Sequence, residues 1–172
     1  YGSAEIGEAA APGQITGKQL KETYRADAIT RSTRVYGVVG NPLGQSKGVV
    51  LHNPLFHRAK KNAVYCKFPV KKLDRFMNSI APMLDGFSVT IPHKQNIGKY
   101  LDRIDDTARA IGAVNTVLRR NGKLYGTNTD APGALDAIER TAHVKGKRLL
   151  VLGAGGAARA IIYEARRRGA HV

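Results

Sequence analysis

The sequence is poor in several features that would define a class of function. It holds one cysteine and no tryptophan, so an internal disulfide is excluded and a reducing compartment is favoured. No apolar run approaches the roughly 20 residues that a membrane-spanning helix requires, and the first residues lack the pattern of a signal peptide. No spacing of His, Cys and carboxylate side chains indicates a metal site. A globular, cytoplasmic protein without a metal is therefore predicted.

Acidic side chains are also scarce. The chain has 13 Asp and Glu against 28 Lys and Arg, which leaves a formal charge of +15. Such a charge attracts phosphates and other anions. The basic residues nevertheless occur in small scattered groups, without interleaved aromatic side chains on which bases could stack. A solvated basic surface or attraction of small anions fits this pattern better than binding of nucleic acid.

What the sequence does contain is an alternation of strand and helix patterns. Strands are predicted over 34–40, 63–68, 86–91, 114–119 and 123–126, and helices over about 18–24, 49–61, 73–79, 93–101, 105–111 and 129–141. Thr16 is the predicted N-cap of the first helix, and Asn121 with Gly122 is a hairpin signal between the last two strands. The alternation predicts an α/β fold with a mixed sheet.

Residues 144–172 show a different pattern. An apolar strand is predicted over 148–152, then a glycine-rich loop, then a helix to about residue 168. The loop consists of Gly153, Ala154, Gly155, Gly156 and Ala157. Strand, glycine loop and helix in this order open a dinucleotide-binding fold of the Rossmann type, in which the helix N-terminus faces a pyrophosphate. An ordinary turn between strand and helix is the alternative.

Two polar residues follow predicted strands at positions suited to proton transfer. The segment 87–94, FSVTIPHK, ends a strand at a proline and carries Lys94 just beyond it, while Asp130 closes the run NTD after another short strand. Strand ends hold side chains at a rigid sheet edge, where substrates tend to bind. Lys94 and Asp130 could therefore share one proton-transfer function. A solvated lysine and a helix-capping aspartate are the structural alternatives.

Five motifs together resemble those of shikimate dehydrogenases and occur in the order found in that family. They are NPLGQSK at 41–47, SVTIPHK at 88–94, IGAVNT at 111–116, NTD at 128–130 and GAGGA at 153–157. The first residues, through the run APGQ at 11–14, resemble the C-terminal end of type I 3-dehydroquinate dehydratases. The resemblance implies a dehydratase-like remnant with a linker over 1–33, a substrate-binding domain over 34–143, and an incomplete Rossmann domain over 144–172.

The resemblance also implies an activity, the NADP-dependent reduction of 3-dehydroshikimate to shikimate in aromatic amino-acid biosynthesis. Lys94 and Asp130 would be the acid–base pair, and the glycine loop would bind NADP(H), with NAD left open. Ser46 would bind the substrate carboxylate, while Thr90 and Asn115 would bind the carboxylate or ring hydroxyls. The implied partner is this small molecule, not a nucleic acid or a membrane. The implied location is the cytoplasm, or the plastid in a plant, and the oligomeric state is left open.

The chain departs from the family pattern in three respects. Gly48 stands where the family has a second serine, so one hydrogen bond to the carboxylate is missing, worth about 1–3 kcal/mol. The glycine would leave space beside the carboxylate, which makes quinate or dehydroquinate an alternative substrate. Ala10 replaces a serine in the dehydratase-like segment. The family's nucleotide domain continues beyond residue 172, so we expect weak substrate binding without turnover; a non-catalytic binding module is the other possibility.

Overall fold

The computed structural model describes residues 14–172, so the dehydratase-like segment through Gly13, with Ala10, lies outside the described residues. The strands are β1 Arg34–Gly40, β2 Ala63–Pro69, β3 Gly86–Val89, β4 Arg103–Ile104, β5 Thr116–Arg120 and β6 Lys123–Thr127. The α-helices are α1 Gly17–Glu22, α2 Gly48–Arg58, α3 Leu73–Ser79, α4 Asp106–Ile111, α5 Asp130–Glu139 and α6 Gly156–Arg167. Within residues 14–172, no helix is long and apolar enough to span a membrane.

All six strands form one mixed sheet in the order β2-β1-β3-β5-β6-β4. β1 pairs in parallel with β2 and β3, whereas β5 pairs antiparallel with β3 and β6. β4 pairs in parallel with β6. The β5–β6 hairpin turns at Asn121 and Gly122, whose φ angles of 50° and 76° lie in the left-handed region that this turn requires. The predicted α/β fold with a mixed sheet is confirmed.

The main core lies against β1, β3 and β5. Val39 and Val117 are fully buried and Phe87 is 3% exposed. Helix α3 joins this core through Phe76, whose ring meets that of Phe87 edge-on at a centroid distance of 5.4 Å. Burial of such side chains is the main source of stability, at about 1.5–3 kcal/mol for each large apolar side chain. The strands therefore form a rigid base for the residues that follow them.

A glycine at the end of β1 permits close packing of the chain that leaves β3. A Cβ on Gly40 would lie 2.3 Å from Thr90 Cγ2 and 2.8 Å from the Ile91 carbonyl oxygen, closer than side chains approach in proteins. The Asn41 N–H donates to that carbonyl at 2.9 Å. The segment that leads to Lys94 is thereby held against the end of β1.

Helix α1 begins at its predicted N-cap. Thr16 Oγ1 accepts the Gln19 N–H at 3.1 Å, and Gln19 Oε1 accepts the Thr16 N–H at 3.1 Å. This reciprocal pair satisfies two amide donors that the helix itself leaves unpaired. The prediction of Thr16 as N-cap is confirmed.

The helix predicted over 93–101 is wrong in most of its length. Only a 3₁₀ helix, Ile97–Tyr100, forms there. The preceding residues make turns instead, in which the His93 N–H donates to Thr90 and the Asn96 N–H donates to His93, at 2.9 and 3.0 Å. Strand β4 was not predicted, because two residues are too few to show an alternating pattern.

The strand predicted over 148–152 is also wrong. The described residues form a single parallel bridge there, between Arg148 and His171, and Leu150 and Leu152 are 87% and 88% exposed. A parallel strand requires hydrogen-bonded neighbours at its edges and cover on its faces. In the part of the chain that is described, only the short segment at His171 offers such a neighbour.

Helix α6 is nevertheless docked on α5. Leu135 of α5 and Ala165 of α6 are fully buried, and they pack in one apolar cluster with Val144 and Ala170. Arg168, just after α6, donates to Glu139 Oε2 at 2.5 Å and to Asp136 Oδ1 at 2.6 Å. Apolar contact and ion pairs therefore join α6 to α5, the helix that begins at Asp130.

A buried carboxylate holds the end of α6. Glu164 is 2% exposed and accepts two hydrogen bonds from Arg167 at 2.7 Å and one from Arg168 at 2.8 Å. The hydrogen bonds from Arg167, helped by Arg168 and opposed by burial, lower the pKa of Glu164 to about 2. The carboxylate is therefore ionised at neutral pH and holds the two arginines in place.

Candidate active site

The turn that carries Lys94 is fixed on both sides of that residue. The His93 ring is 5% exposed, and its Nε2 lies 2.7 Å from the Val70 carbonyl oxygen. The Lys94 carbonyl accepts the Val114 N–H at 2.8 Å. His93 is thus an anchor of the turn, and the Lys94 side chain projects from a rigid backbone.

The structure brings Lys94 and Asp130 together. Lys94 Nζ lies 2.5 Å from Asp130 Oδ2, with the two side chains 19% and 33% exposed. Lys94 follows β3, and Asp130 is the first residue of α5 after β6. A charge-assisted hydrogen bond of this length is among the stronger contacts available to side chains. An ammonium and a carboxylate thus meet at one sheet edge, as their positions after strands suggested.

Asn115 orients the carboxylate of this pair. Its Nδ2 donates to Asp130 Oδ1 at 2.6 Å and to Thr129 Oγ1 at 2.9 Å. Its Oδ1 accepts the Thr129 N–H and the Thr116 hydroxyl, both at 2.9 Å. These contacts fix the amide with its donor group toward Asp130. Asn115, expected to bind substrate, therefore contacts the ion pair of Lys94 and Asp130 directly.

Asn128 has a structural role at the start of α5. Its Oδ1 accepts the Ala131 N–H at 3.1 Å, and its Nδ2 donates to the Ala113 carbonyl at 2.9 Å. It satisfies one amide donor at the start of the helix. The Asp130 carboxylate, one of the alternatives for this capping function, faces Lys94 and Asn115 instead.

The two predicted hydroxyl ligands lie beside the end of the parallel strands. Ser46 is half-buried just before α2, with its Oγ 3.5 Å from the Gly48 N–H. Thr90 is half-buried just after β3, and its N–H donates to the Val39 carbonyl at 2.9 Å. Among the described contacts, neither hydroxyl is bonded to Lys94 or Asp130, so both remain available to a ligand.

The expectation of open space at Gly48 is wrong. A Cβ on Gly48 would lie 2.8 Å from Tyr65 Cε1 and 3.3 Å from the Tyr65 hydroxyl, so the ring fills the position of the missing side chain. The Tyr65 hydroxyl donates to Ser88 Oγ at 2.8 Å, and burial raises the pKa of this phenol. The absence of a side chain at position 48 is what allows this ring to approach.

Sequence reasoning missed Tyr65. It lies in an apolar strand pattern, where an aromatic residue indicates core packing. Its backbone is held by Asn53, whose Oδ1 accepts the Tyr65 N–H at 2.7 Å and whose Nδ2 donates to the Tyr65 carbonyl at 3.0 Å. His52 stacks on its ring at 4.4 Å. The glycine in the facing helix was the one signal that a bulky residue approaches there.

The glycine loop borders the ion pair of Lys94 and Asp130. A Cβ on Gly156 would lie 3.3 Å from both Lys94 Cδ and Ala113 Cβ. A cavity of about 360 Å³ lies beside this contact, lined by Lys94, Thr129, Asp130, Gly133, Ala134, Ala157 and Ile161. Ala157 of the loop and the ion pair thus line one cavity.

The loop is open to an anionic ligand. Gly155 is the N-cap of α6 without a side-chain capping bond, and a Cβ on it would meet nothing within 4 Å. Gly153 has a φ of 125°, which L side chains rarely adopt. An uncapped helix N-terminus reached by a glycine-rich loop suits a pyrophosphate. The residues at 153–157 therefore fit the phosphate end of a dinucleotide.

Comparison with known proteins decides which family this site belongs to. Residues 38–117 match the family model of the shikimate dehydrogenase substrate binding domain. The chain contains a shikimate dehydrogenase substrate-binding domain. Lys94, Asn115 and the β1–β3 sheet edge all lie within that matched region.

Relatives extend the match beyond this shikimate dehydrogenase domain. Over its whole length the chain is 38% identical to the chloroplastic bifunctional 3-dehydroquinate dehydratase/shikimate dehydrogenase of Arabidopsis thaliana, of which it covers 31%. It is 43% identical to the shikimate dehydrogenase (NADP(+)) of Pyrococcus furiosus, covering 51% of that protein with 79% of its own length.

A solved structure agrees with the fold. The crystal structure of shikimate 5-dehydrogenase from Thermus thermophilus, in complex with NADP(H) and shikimate, matches with a TM-score of 0.71 at 32% identity. The match covers 80% of this chain and 53% of that one. The chain therefore spans about half or less of the length of these relatives.

Proposed function

We propose that this chain supplies the substrate-binding and proton-transfer part of a shikimate dehydrogenase, which reduces 3-dehydroshikimate to shikimate. The observation that carries the proposal is the 2.5 Å ion pair between Lys94 and Asp130, in a cavity that the glycine loop also lines. Reduction of a ketone requires a hydride at carbon and a proton at oxygen, so an acid must stand within hydrogen-bond reach of that oxygen.

Lys94 is the proposed acid. Its ammonium donates a proton to the carbonyl oxygen as the C–H bond forms, and it returns to the neutral amine; in the reverse direction it removes the hydroxyl proton. Asp130 holds the ammonium in place and can accept a hydrogen bond from a ring hydroxyl. Asn115 keeps the carboxylate oriented, since its amide donates to the other oxygen at 2.6 Å.

Ser46 and Thr90 are the proposed ligands of the substrate carboxylate and ring hydroxyls. Both follow the ends of parallel strands, β1 and β3, and among the described contacts neither hydroxyl is bonded to Lys94 or Asp130. The Tyr65 ring lies close to Gly48, two residues after Ser46. Quinate carries a further hydroxyl on the carbon that bears the carboxylate, so the position of the Tyr65 ring bears directly on whether that substrate is accepted.

The proposed cofactor is NADP(H), which supplies the hydride when bound. Gly153, Ala154, Gly155, Gly156 and Ala157 would hold its pyrophosphate at the N-terminus of α6. Contact between Gly156 and Lys94 would keep this loop next to the proton donor. A cytoplasmic or plastid location is likewise a prediction.

Isothermal titration calorimetry of the 172-residue chain with shikimate and with quinate tests the proposal. We expect shikimate to bind, and the variants Lys94→Met and Asp130→Asn to weaken binding by at least tenfold, since each removes a charge-assisted contact worth about 1.5–3 kcal/mol. Lys123→Met, in the exposed hairpin, is the matched control and should bind normally. Tighter binding of quinate would favour the alternative substrate, and equal loss in the control would count against the site.

A further inference from the structure

A second cavity lies at the opposite edge of the sheet. It measures about 560 Å³ and lies between the end of α1, the 3₁₀ helix Ala26–Ala28 and the turn between α2 and β2. Its lining residues Thr33 and Ala63 stand where β1 and β2 begin, whereas Lys94 follows the end of the parallel strand β3. A strand of seven residues, such as β1, spans roughly 20 Å. The cavity is therefore separate from the active site.

The walls of this cavity are strongly basic. Arg25, His57, Arg58, Lys60 and Lys61 line it, and none of its described lining residues carries a carboxylate. Among the ion pairs of residues 14–172, none involves any of these five side chains. Positive groups gathered around a concave surface focus a positive potential into it. An anion that enters the cavity relieves their mutual repulsion.

Polar contacts fix the mouth of the cavity. Asn62 Oδ1 accepts the Thr33 hydroxyl at 2.7 Å, and Asn62 Nδ2 lies within hydrogen-bond distance of Ser32 Oγ and Thr30 Oγ1, at 3.2 and 3.3 Å. These bonds tie the segment before β1 to the turn before β2. The backbone on two sides of the cavity is thus tied together, while the basic side chains themselves are exposed.

Two of the basic residues at the cavity have an uncommon backbone conformation. Arg25 and Lys60 have φ angles of 50° and 51°, a left-handed conformation that long side chains seldom adopt. At Lys60 the end of α2 explains this conformation, because the Lys60 N–H donates to the His57 carbonyl at 3.0 Å and the Lys61 N–H donates to the Phe56 carbonyl at 2.9 Å, as in a common helix C-terminal cap. The end of α2 therefore fixes where the Lys60 side chain leaves the backbone beside the cavity.

We propose that this cavity binds a small polyanion that carries phosphoryl groups. Its volume falls within the usual range of small-ligand sites, about 300–1,000 Å³. Guanidinium groups bind phosphoryl oxygens in pairs, and ammonium groups add point charges. Two arginines and two lysines around one cavity match a ligand with several negative oxygens better than one with a single carboxylate, which distinguishes this site from the one at Lys94.

Calorimetry with inorganic pyrophosphate tests the site in the 172-residue chain. We expect one molecule to bind at this cavity, besides any that occupies the glycine loop, and Arg25→Gln/Lys61→Gln to weaken binding at the cavity by at least tenfold while leaving the loop unaffected. The control Arg120→Gln/Lys123→Gln removes the same two charges from the exposed hairpin and should change the affinity less than twofold. Saturating shikimate should leave pyrophosphate binding unchanged.

Amide chemical shifts of the wild-type protein, recorded by NMR with and without pyrophosphate, provide a second test. Because this test needs no variant, a folding defect in a variant cannot affect it. Pyrophosphate should shift amides over 23–33 and 57–63, as a set that titrates separately from any over 153–157 at the glycine loop, and leave those near Ser46 unmoved. Equal loss of affinity in both double variants, displacement by shikimate, or shifts confined to the active site would each overturn the proposal. So would an oligonucleotide that binds tighter than pyrophosphate through the same lysines, because an extended nucleic-acid surface would then replace the small-ligand site.

Discussion

The sheet region and the glycine-loop region of this chain contain similar apolar runs, but only those of the sheet region form paired strands. In the sheet, Val39 and Val117 are fully buried between paired strands. After α5, Leu150 and Leu152 stand 87% and 88% exposed, although the run around them has the composition of a buried strand. The difference shows that an apolar run becomes a strand only where neighbouring strands complete its hydrogen bonds.

The two regions also differ in how completely their candidate functional residues are held in place. Lys94, Asp130 and Asn115 are linked by hydrogen bonds of 2.5 and 2.6 Å. The glycine loop has its helix in place against α5, but the strand that should precede it is a single bridge. The residues proposed for proton transfer are therefore preorganised, whereas at the loop proposed to bind the nucleotide only the helix is fixed.

The largest expected effect on stability comes from replacing one leucine by alanine in the sheet region, compared with the same replacement in the glycine-loop region. Leu84 is 3% exposed in the main core, so Leu84→Ala should lower the free energy of unfolding by about 2–5 kcal/mol. Leu152→Ala should change it by less than about 0.5 kcal/mol. Urea denaturation of both variants measures the contrast. Similar losses in the two variants would mean that Leu152 is buried in solution and that the contrast between the regions is mistaken.

The next effect concerns what holds α6 to the rest of the molecule. Glu164→Gln should destabilise the fold at pH 7 by about 1–3 kcal/mol, because Arg167 and Arg168 lose a charged acceptor. The folded-state pKa of about 2 lies below the ordinary value of 4.5, so the carboxylate's contribution is present above about pH 4.5 and is lost as the pH falls toward 2.

Thermal unfolding from pH 7 to pH 2 measures this dependence. Wild type and Glu164→Gln should differ most at neutral pH and converge in acid. A constant difference across this range would show that the side chain acts through packing and not through its charge.

The last comparison concerns two glycines and includes the smallest expected effect, that of Gly133→Ala. Gly48→Ala should destabilise the fold by about 1–3 kcal/mol, because the added Cβ meets the Tyr65 ring at 2.8 Å. Gly133→Ala, inside α5 with nothing within 4 Å of its Cβ position, should instead stabilise it by about 0.4–1 kcal/mol. The urea concentration at the midpoint of unfolding should fall for Gly48→Ala and rise for Gly133→Ala. A neutral or stabilising Gly48→Ala would show that Tyr65 does not fill this space in solution.

Sequence patterns predicted what depends on local periodicity and strand ends. The limits of α3, the hairpin at Asn121 and the meeting of Lys94 with Asp130 all follow from such signals. Tyr65 could not be found in this way, because its place beside Gly48 depends on how α2 packs across β2. The strand over 148–152 was overpredicted for the opposite reason: composition records that a run is apolar, not whether neighbouring strands pair with it.

Oxidation of NADPH by the 172-residue chain, followed by its absorbance with saturating 3-dehydroshikimate, tests the account most directly. With the acid–base pair formed but the strand before the glycine loop unpaired, the account predicts no rate above that of the buffer, under conditions in which shikimate binds. Turnover at the usual enzymatic range of about 1–10³ per second would contradict it, since the nucleotide side would then be complete in this chain.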